Sequence, residues 1–163
     1  MKLSSKGTHI MKKQFRLTQA GIDELKAELD ALIQDRSAVA QRIKDAREFG
    51  DLAENAEYSA ARQEQEKAEN RIGEIENILL NVEVIKAPKG DSKVQLGSTV
   101  TLKSDDGKSK KFQVVGTVEA DPLNGKISDE SPIGKALLGK KLGEEVEIKT
   151  PAETASYKIT DIS

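Results

Sequence analysis

The feature that most constrains this chain is a pair of apolar heptad arrays that mirror each other about Leu52. Reading forward, Ile22, Leu25, Leu29, Leu32, Arg36, Val39, Ile43 and Ala46 recur at alternating steps of three and four. Reading backward from the other side, Val82, Leu79, Ile75, Ile72, Ala68, Gln65, Ala61 and Tyr58 do the same. An apolar repeat of about 3.5 residues marks helices that pack along a seam. Because every member of one array has a counterpart equidistant from Leu52, the chain is predicted to fold back between Gly50 and Ala53. The product is an antiparallel helical hairpin whose arms, at ~1.5 Å per residue, are each roughly 40 Å long.

Local signals bound the hairpin. Thr18 is a good N-cap, Leu17 and Ile22 have the spacing of a hydrophobic staple, and Asp23 and Glu24 suit the positive start of a helix. The first helix is expected to run to about Phe49, where Gly50 breaks it. The second starts near Asp51 or Leu52 and runs to about Val82, before Pro88, Lys89 and Gly90 mark a linker. Arg36 stands where an apolar residue belongs, which predicts a polar layer with the guanidinium turned outward.

An arm that exposes most of its surface cannot supply the whole core of a 163-residue chain, so a second unit is expected. Beyond Val94 the period shortens to that of strands at Ser98–Lys103, Lys111–Val118, Glu145–Thr150 and Ser156–Ile162. They are punctuated by Ser104-Asp105-Asp106-Gly107, Asp121-Pro122 and Asn124-Gly125. One short helix interrupts them, with Ser131 as N-cap, Pro132 at its first position and Gly139 as its stop. The expected class is therefore α+β, divided into an extension without order at 1–16, a hairpin at 17–84, a linker at 85–93 and a twisted sheet with one helix at 94–163.

Charged residues make up 33% of the chain but the net charge is only −2, which suits a solvated coiled coil better than a protein held to nucleic acid by bulk positive charge. With no cysteine there is neither a disulfide framework nor a thiolate metal site. The basic stretch Met1–Lys13 has no apolar run after it, and no segment is long enough to cross a bilayer, so the cytoplasm is expected. A hairpin whose seam is satisfied internally favours a monomer.

Acids crowd the fold-back point: Asp45, Glu48, Asp51, Glu54 and Glu57 all lie there. Two readings of Asp51 and Glu54 stand side by side. Their spacing is that of a capping box for the second helix. Alternatively, two carboxylates on a protruding tip help to bind a divalent cation. Two are too few for a Mg²⁺ site built from protein alone, so such an ion would be shared with a partner.

The run from Glu48 to Arg62, EFGDLAENAEYSAAR, resembles the hairpin tip of the bacterial Gre transcript-cleavage factors, and is nearer to the GreA type than to the GreB type. The likeness continues through Ile127-Ser128, Ser131-Pro132 and Lys135 to Val146, so it covers nearly the whole chain after Met11. The resemblance implies a transcription elongation factor, not itself an enzyme, that enters the secondary channel of bacterial RNA polymerase. There it would stimulate the polymerase's own cleavage of the RNA 3′ end in backtracked complexes. It implies that Asp51 and Glu54 are the catalytic acids, helping to hold a Mg²⁺ supplied at the polymerase active centre and to orient water. No tightly bound cofactor is implied. Arg47 and Arg62 match the family's basic patch beside the tip, and Asn55 and Tyr58 adjoin it as contacts to RNA or polymerase. The implied C-terminal fold is FKBP-like.

Each of these residues also has a plainer use. Two arginines on exposed helices make local ion pairs, and Tyr58 at a seam position packs against Ala46. Gly134 to Lys141 nearly spells a phosphate-binding loop, but Lys141 replaces the required Ser or Thr and the stretch reads as a packed helix. Phe112 and Tyr157 are core candidates, too few for a prolyl isomerase pocket, and His9 is a tail residue. Two rival functions remain: an inhibitor that blocks the same polymerase channel, and a scaffold that pairs with another coiled coil.

Overall fold

The computed structural model describes residues 14–50, 55–86 and 93–163. The expected extension through 13 and the linker between 87 and 92 lie outside them. Strand β1 (Phe15–Leu17) leads into α1 (Gln19–Arg47), and α2 (Ala56–Leu80) returns to β2 (Val82–Val84). The two helices, of 29 and 25 residues, form the antiparallel arm. Thr18 caps α1 as expected, its side chain accepting from the Gly21 N–H at 3.1 Å, and Leu17 packs in one cluster with Ile22.

The strands correct two boundaries. The ordered unit begins by Phe15, not after residue 16, and the second helix ends at Leu80, two residues short of Val82. The cause is tertiary: β1 and β2 pair in parallel with Phe15 opposite Val82, and the Phe15 N–H donates to the Asn81 carbonyl at 2.9 Å. Leu17, only 1% exposed, closes the base of the arm. A three-residue strand whose partner lies far along the chain has no local signature.

Apolar packing in the arm falls into two clusters. The base joins Leu17, Ile22, Leu25, Ile75 and Ile78, while the distal part joins Val39, Ile43 and Ala61 with Tyr58 packed against them. Between the two, Arg36 turns outward and grips Glu69 with Nε and Nη2 at 2.8 and 2.9 Å. Here the helices leave a groove of about 460 Å³ lined by Leu32, Val39 and Ala68 among others. Forked pairs also link Arg42 to Glu64 and Arg71 to Glu28 across the arm. Such exposed pairs are screened by solvent, so they set register more than stability.

The second unit is a curled sheet of β3 (Thr99–Ser104), β4 (Ser109–Val115), β5 (Lys126–Ser128), β6 (Glu145–Lys149) and β7 (Thr154–Ile162), ordered β5-β4-β3-β7-β6. All neighbours are antiparallel except β4 and β5. The turn at Ser104–Gly107 joins β3 to β4, with Gly107 at φ 86° and its N–H bonded to the Ser104 carbonyl. Helix α3 (Pro132–Leu137) is capped by Ser131, which accepts from the Gly134 N–H at 3.0 Å. Its Leu137 is fully buried in a single core with Val100, Leu102, Val114, Tyr157 and Ile159.

Candidate functional site

The tip is built by two helix ends facing each other. α1 carries Lys44 and Arg47 in its last turn, where cations complement the negative end of the helix dipole. Glu48 is the C-cap, the Phe49 N–H closes onto the Ala46 carbonyl at 3.3 Å, and Gly50 follows with φ 117°. A side chain is strained at such a φ, which is why glycine stands there. Asp51, Leu52, Ala53 and Glu54 lie outside the described residues, and with them the reading of the two acids as metal ligands.

The chain resumes at Asn55, and here the capping expectation is corrected. The N-cap of α2 is Asn55, not Asp51, and the helix starts at Ala56. Asn55 Oδ1 accepts from the Tyr58 N–H at 3.0 Å, while Nδ2 donates to the Ala46 carbonyl at 2.7 Å. One carboxamide thus satisfies a donor at the start of α2 and an acceptor at the end of α1. Aspartate can supply the first bond but not the second, since an ionised carboxylate only accepts. The clasp ties the start of α2 to the end of α1, and it gives Asn55 structural work that the sequence did not reveal.

Tyr58 is half-buried against Val39, Ile43 and Ala61. The Arg47 guanidinium lies over its ring, 5.8 Å from the centroid, within the range of a cation–π contact. Arg62 is exposed and donates to Gln65 Oε1 at 2.8 Å. Among the described residues neither Arg47 nor Arg62 is ion-paired, unlike Arg36, Arg42 and Arg71, which each grip a carboxylate. The hydrogen bonds that Arg36 and Arg42 donate to Glu69 and Glu64 hold their guanidinium pKa values above the ordinary value. Among the described residues, Arg47 and Arg62 near the tip therefore hold no carboxylate.

The arm and the sheet meet at the base. Glu119, in the 3₁₀ turn Thr117–Glu119 after β4, reaches the start of α1 and accepts from the Thr18 N–H at 3.0 Å. Lys126 of β5 lies 3.5 Å from Glu24 of α1. No helix among the described residues is long and apolar enough to cross a membrane, and none of their His, Cys, Asp and Glu side chains gather in threes to hold a metal.

Comparison with known proteins covers both units. Residues 15–84 match the family described as transcription elongation factor, N-terminal, and residues 88–163 match transcription elongation factor, GreA/GreB, C-term. Transcription elongation factor GreA of Bacillus subtilis is 45% identical over 93% of this chain and 98% of its own length. That of Macrococcus caseolyticus is 46% identical over 94% and 99%. Among solved structures, the Gfh1 protein of Thermus thermophilus is 30% identical, covers 93% of this chain and 99% of that one, and superposes with a TM-score of 0.43. With both units matched in order and along their whole length, the chain belongs to the GreA/GreB family of transcription elongation factors.

Proposed function

We propose that the arm enters the secondary channel of a bacterial RNA polymerase and carries Asp51 and Glu54 to its active centre. There they stimulate the polymerase's own hydrolysis of the RNA 3′ end in backtracked complexes. The observation that supports this reading is how the two helix ends are joined at the far end of a long, register-locked arm: Gly50 turns the chain out of α1 and the Asn55 side chain ties the start of α2 to the Ala46 carbonyl, on either side of the segment that carries Asp51 and Glu54. The donor set fits a shared Mg²⁺, because two hard oxygen ligands leave the rest of an octahedral shell to water and phosphate. When bound, the ion neutralises phosphate charge and lowers the pKa of a bound water. Asp51 and Glu54 would hold it from the protein side, while Arg47 and Arg62 meet the RNA phosphates. Asn55 ties the two helix ends together, and the Tyr58 ring lies under the Arg47 guanidinium.

On this reading the protein is an accessory factor and not an enzyme, acts as a monomer in the cytoplasm, and has no cofactor of its own. The rival inhibitor would dock in the same way but needs no acids at its tip. The scaffold reading is weaker, because the seam residues Ile22, Leu25, Ile72 and Ile75 are buried within the hairpin and leave no second apolar stripe. The test is a backtracked polymerase complex with Mg²⁺. Wild-type protein should shorten the transcript, while Asp51→Asn and Glu54→Gln should lower stimulated cleavage by at least about a hundredfold, the scale of a lost transition-state group. Binding to polymerase should stay near wild type. If both variants cleave normally, the acids have no part in the chemistry.

A further inference from the structure

We infer that Glu119 is a positioning residue: it fixes the angle of the arm on the sheet unit and so aims the tip. The inference rests on the proposed function for its consequence, but not for its geometry.

The start of α1 presents unsatisfied N–H groups and partial positive charge. No acid lies in its first turn. The acid comes instead from the other unit, 101 residues along the chain: Glu119 Oε2 accepts from the Thr18 N–H at 3.0 Å, and Oε1 accepts from the Thr18 hydroxyl at 2.5 Å. Thr18 Oγ1 in turn accepts from the Gly21 N–H at 3.1 Å, so the cap of the arm and the link between units are one bonded chain. The Glu119 side chain is 3% exposed, and Lys126 Nζ lies 3.8 Å from it. A buried carboxylate is costly unless bonded and neutralised, and here it is both.

The contact is also fitted by shape. A Cβ on Gly21 would lie 2.6 Å from Glu119 Cδ, and one on Gly116 would lie 2.1 Å from the Arg16 carbonyl oxygen. Both glycines permit the approach by having no side chain. Thr18 alone would cap the helix, so Glu119 is not needed to form α1. What it adds is a bond between bodies at the fulcrum of a lever. A tilt of about 10° there moves a tip about 40 Å away by about 7 Å, far more than reacting groups tolerate.

The chain has no cysteine, so spin labels can be placed at E57C near the tip and E147C on β6 without interference. Pulsed dipolar spectroscopy then reads the distance between units in the free full-length protein. A single narrow distribution is expected for the otherwise wild-type chain, and a broadened or shifted one for Glu119→Ala and Gly21→Ala. The second variant keeps the charge and favours helix more than glycine does, so it displaces the carboxylate without weakening α1. Unlabelled variants should show a maximal cleavage rate lower by about tenfold or more, with the half-saturating protein concentration unchanged. A narrow, unshifted distance in both variants would overturn the inference, as would a broadened distance with full cleavage. If the wild-type chain itself fails to stimulate cleavage, the proposed function falls while the distances still decide whether Glu119 fixes the arm.

Discussion

In the sheet unit, ten buried residues from Val94 to Ile162 form one continuous core, with Val100, Leu102, Val114 and Leu137 wholly out of solvent. In the arm, the buried residues split into a base cluster and a small distal cluster with the Arg36–Glu69 layer between them. The sheet has burial to spare and little reach. The arm has reach, and its shape is kept by register, caps and charge pairs more than by packing. That division lets a thin distal hairpin carry exposed charge to a distant target while a well-packed body anchors it.

The strongest way to break this comparison is to change the reach while leaving the tip sequence intact. Deleting Ile33–Val39 together with Gln65–Arg71 removes one heptad from each helix and shortens the arm by about 10 Å. It also removes Arg36 and Glu69, so the Ile43–Ala61 layer stacks directly on the Leu32–Ile72 layer and the two apolar clusters join. The shortened hairpin should therefore stay at least as helical by circular dichroism and still bind polymerase, yet lose stimulated cleavage. Wild-type cleavage by this variant would mean that the arm does not act by reaching a fixed depth.

Packing supplies the next test. Leu102 sits on the central strand of the sheet and is fully buried, so Leu102→Ala should cost about 2–5 kcal/mol. Val39 borders the open groove of the arm, where neighbours and water can fill the space, so Val39→Ala should cost only about 1 kcal/mol. Hydrogen exchange of the amides in each unit measures both. Equal costs would show that the distal arm is packed as firmly as the sheet.

The same contrast explains what could be read from sequence. Heptad spacing showed both helices, their mirror pairing and the outward Arg36, because the pattern repeats over many turns. The caps Thr18 and Ser131 were legible because a cap and its recipient N–H are three residues apart. Strands β1 and β2 were not, since Phe15 gains its meaning only opposite Val82. Glu119 was hidden for the same reason, and Asp23 and Glu24, which looked suited to the helix start, lie beyond its first turn. At the tip, the spacing pointed to Asp51 as the cap, whereas the cap is Asn55, whose carboxamide also donates to the Ala46 carbonyl across the hairpin. The acids themselves were visible only as part of a motif.

The smallest effect tests whether charge pairs tune the arm and leave the sheet alone. Glu28 accepts from Arg71 across the hairpin at 2.7 Å, and that hydrogen bond, outweighing desolvation, holds its carboxyl below the ordinary glutamate value. A group whose pKa is lowered by folding stabilises the fold above its unfolded pKa, about 4.3 for glutamate, and loses that contribution as the pH falls through the lower folded value. Arg71 is raised by the same contact and stays charged throughout this range. Both side chains are more than a third exposed, so solvent screening keeps the pair below about 1 kcal/mol. Glu28→Gln should therefore lower the thermal midpoint of the helical signal slightly at pH 7, and the deficit should shrink at an acid pH below the unfolded value of about 4.3, as the wild-type carboxyl takes up its proton. The cost of Leu102→Ala, which removes only apolar contacts, should be the same at both values. A Glu28→Gln deficit that persists in acid would mean that the side chain contributes through packing, and the arm would then resemble the sheet more closely than its clusters indicate.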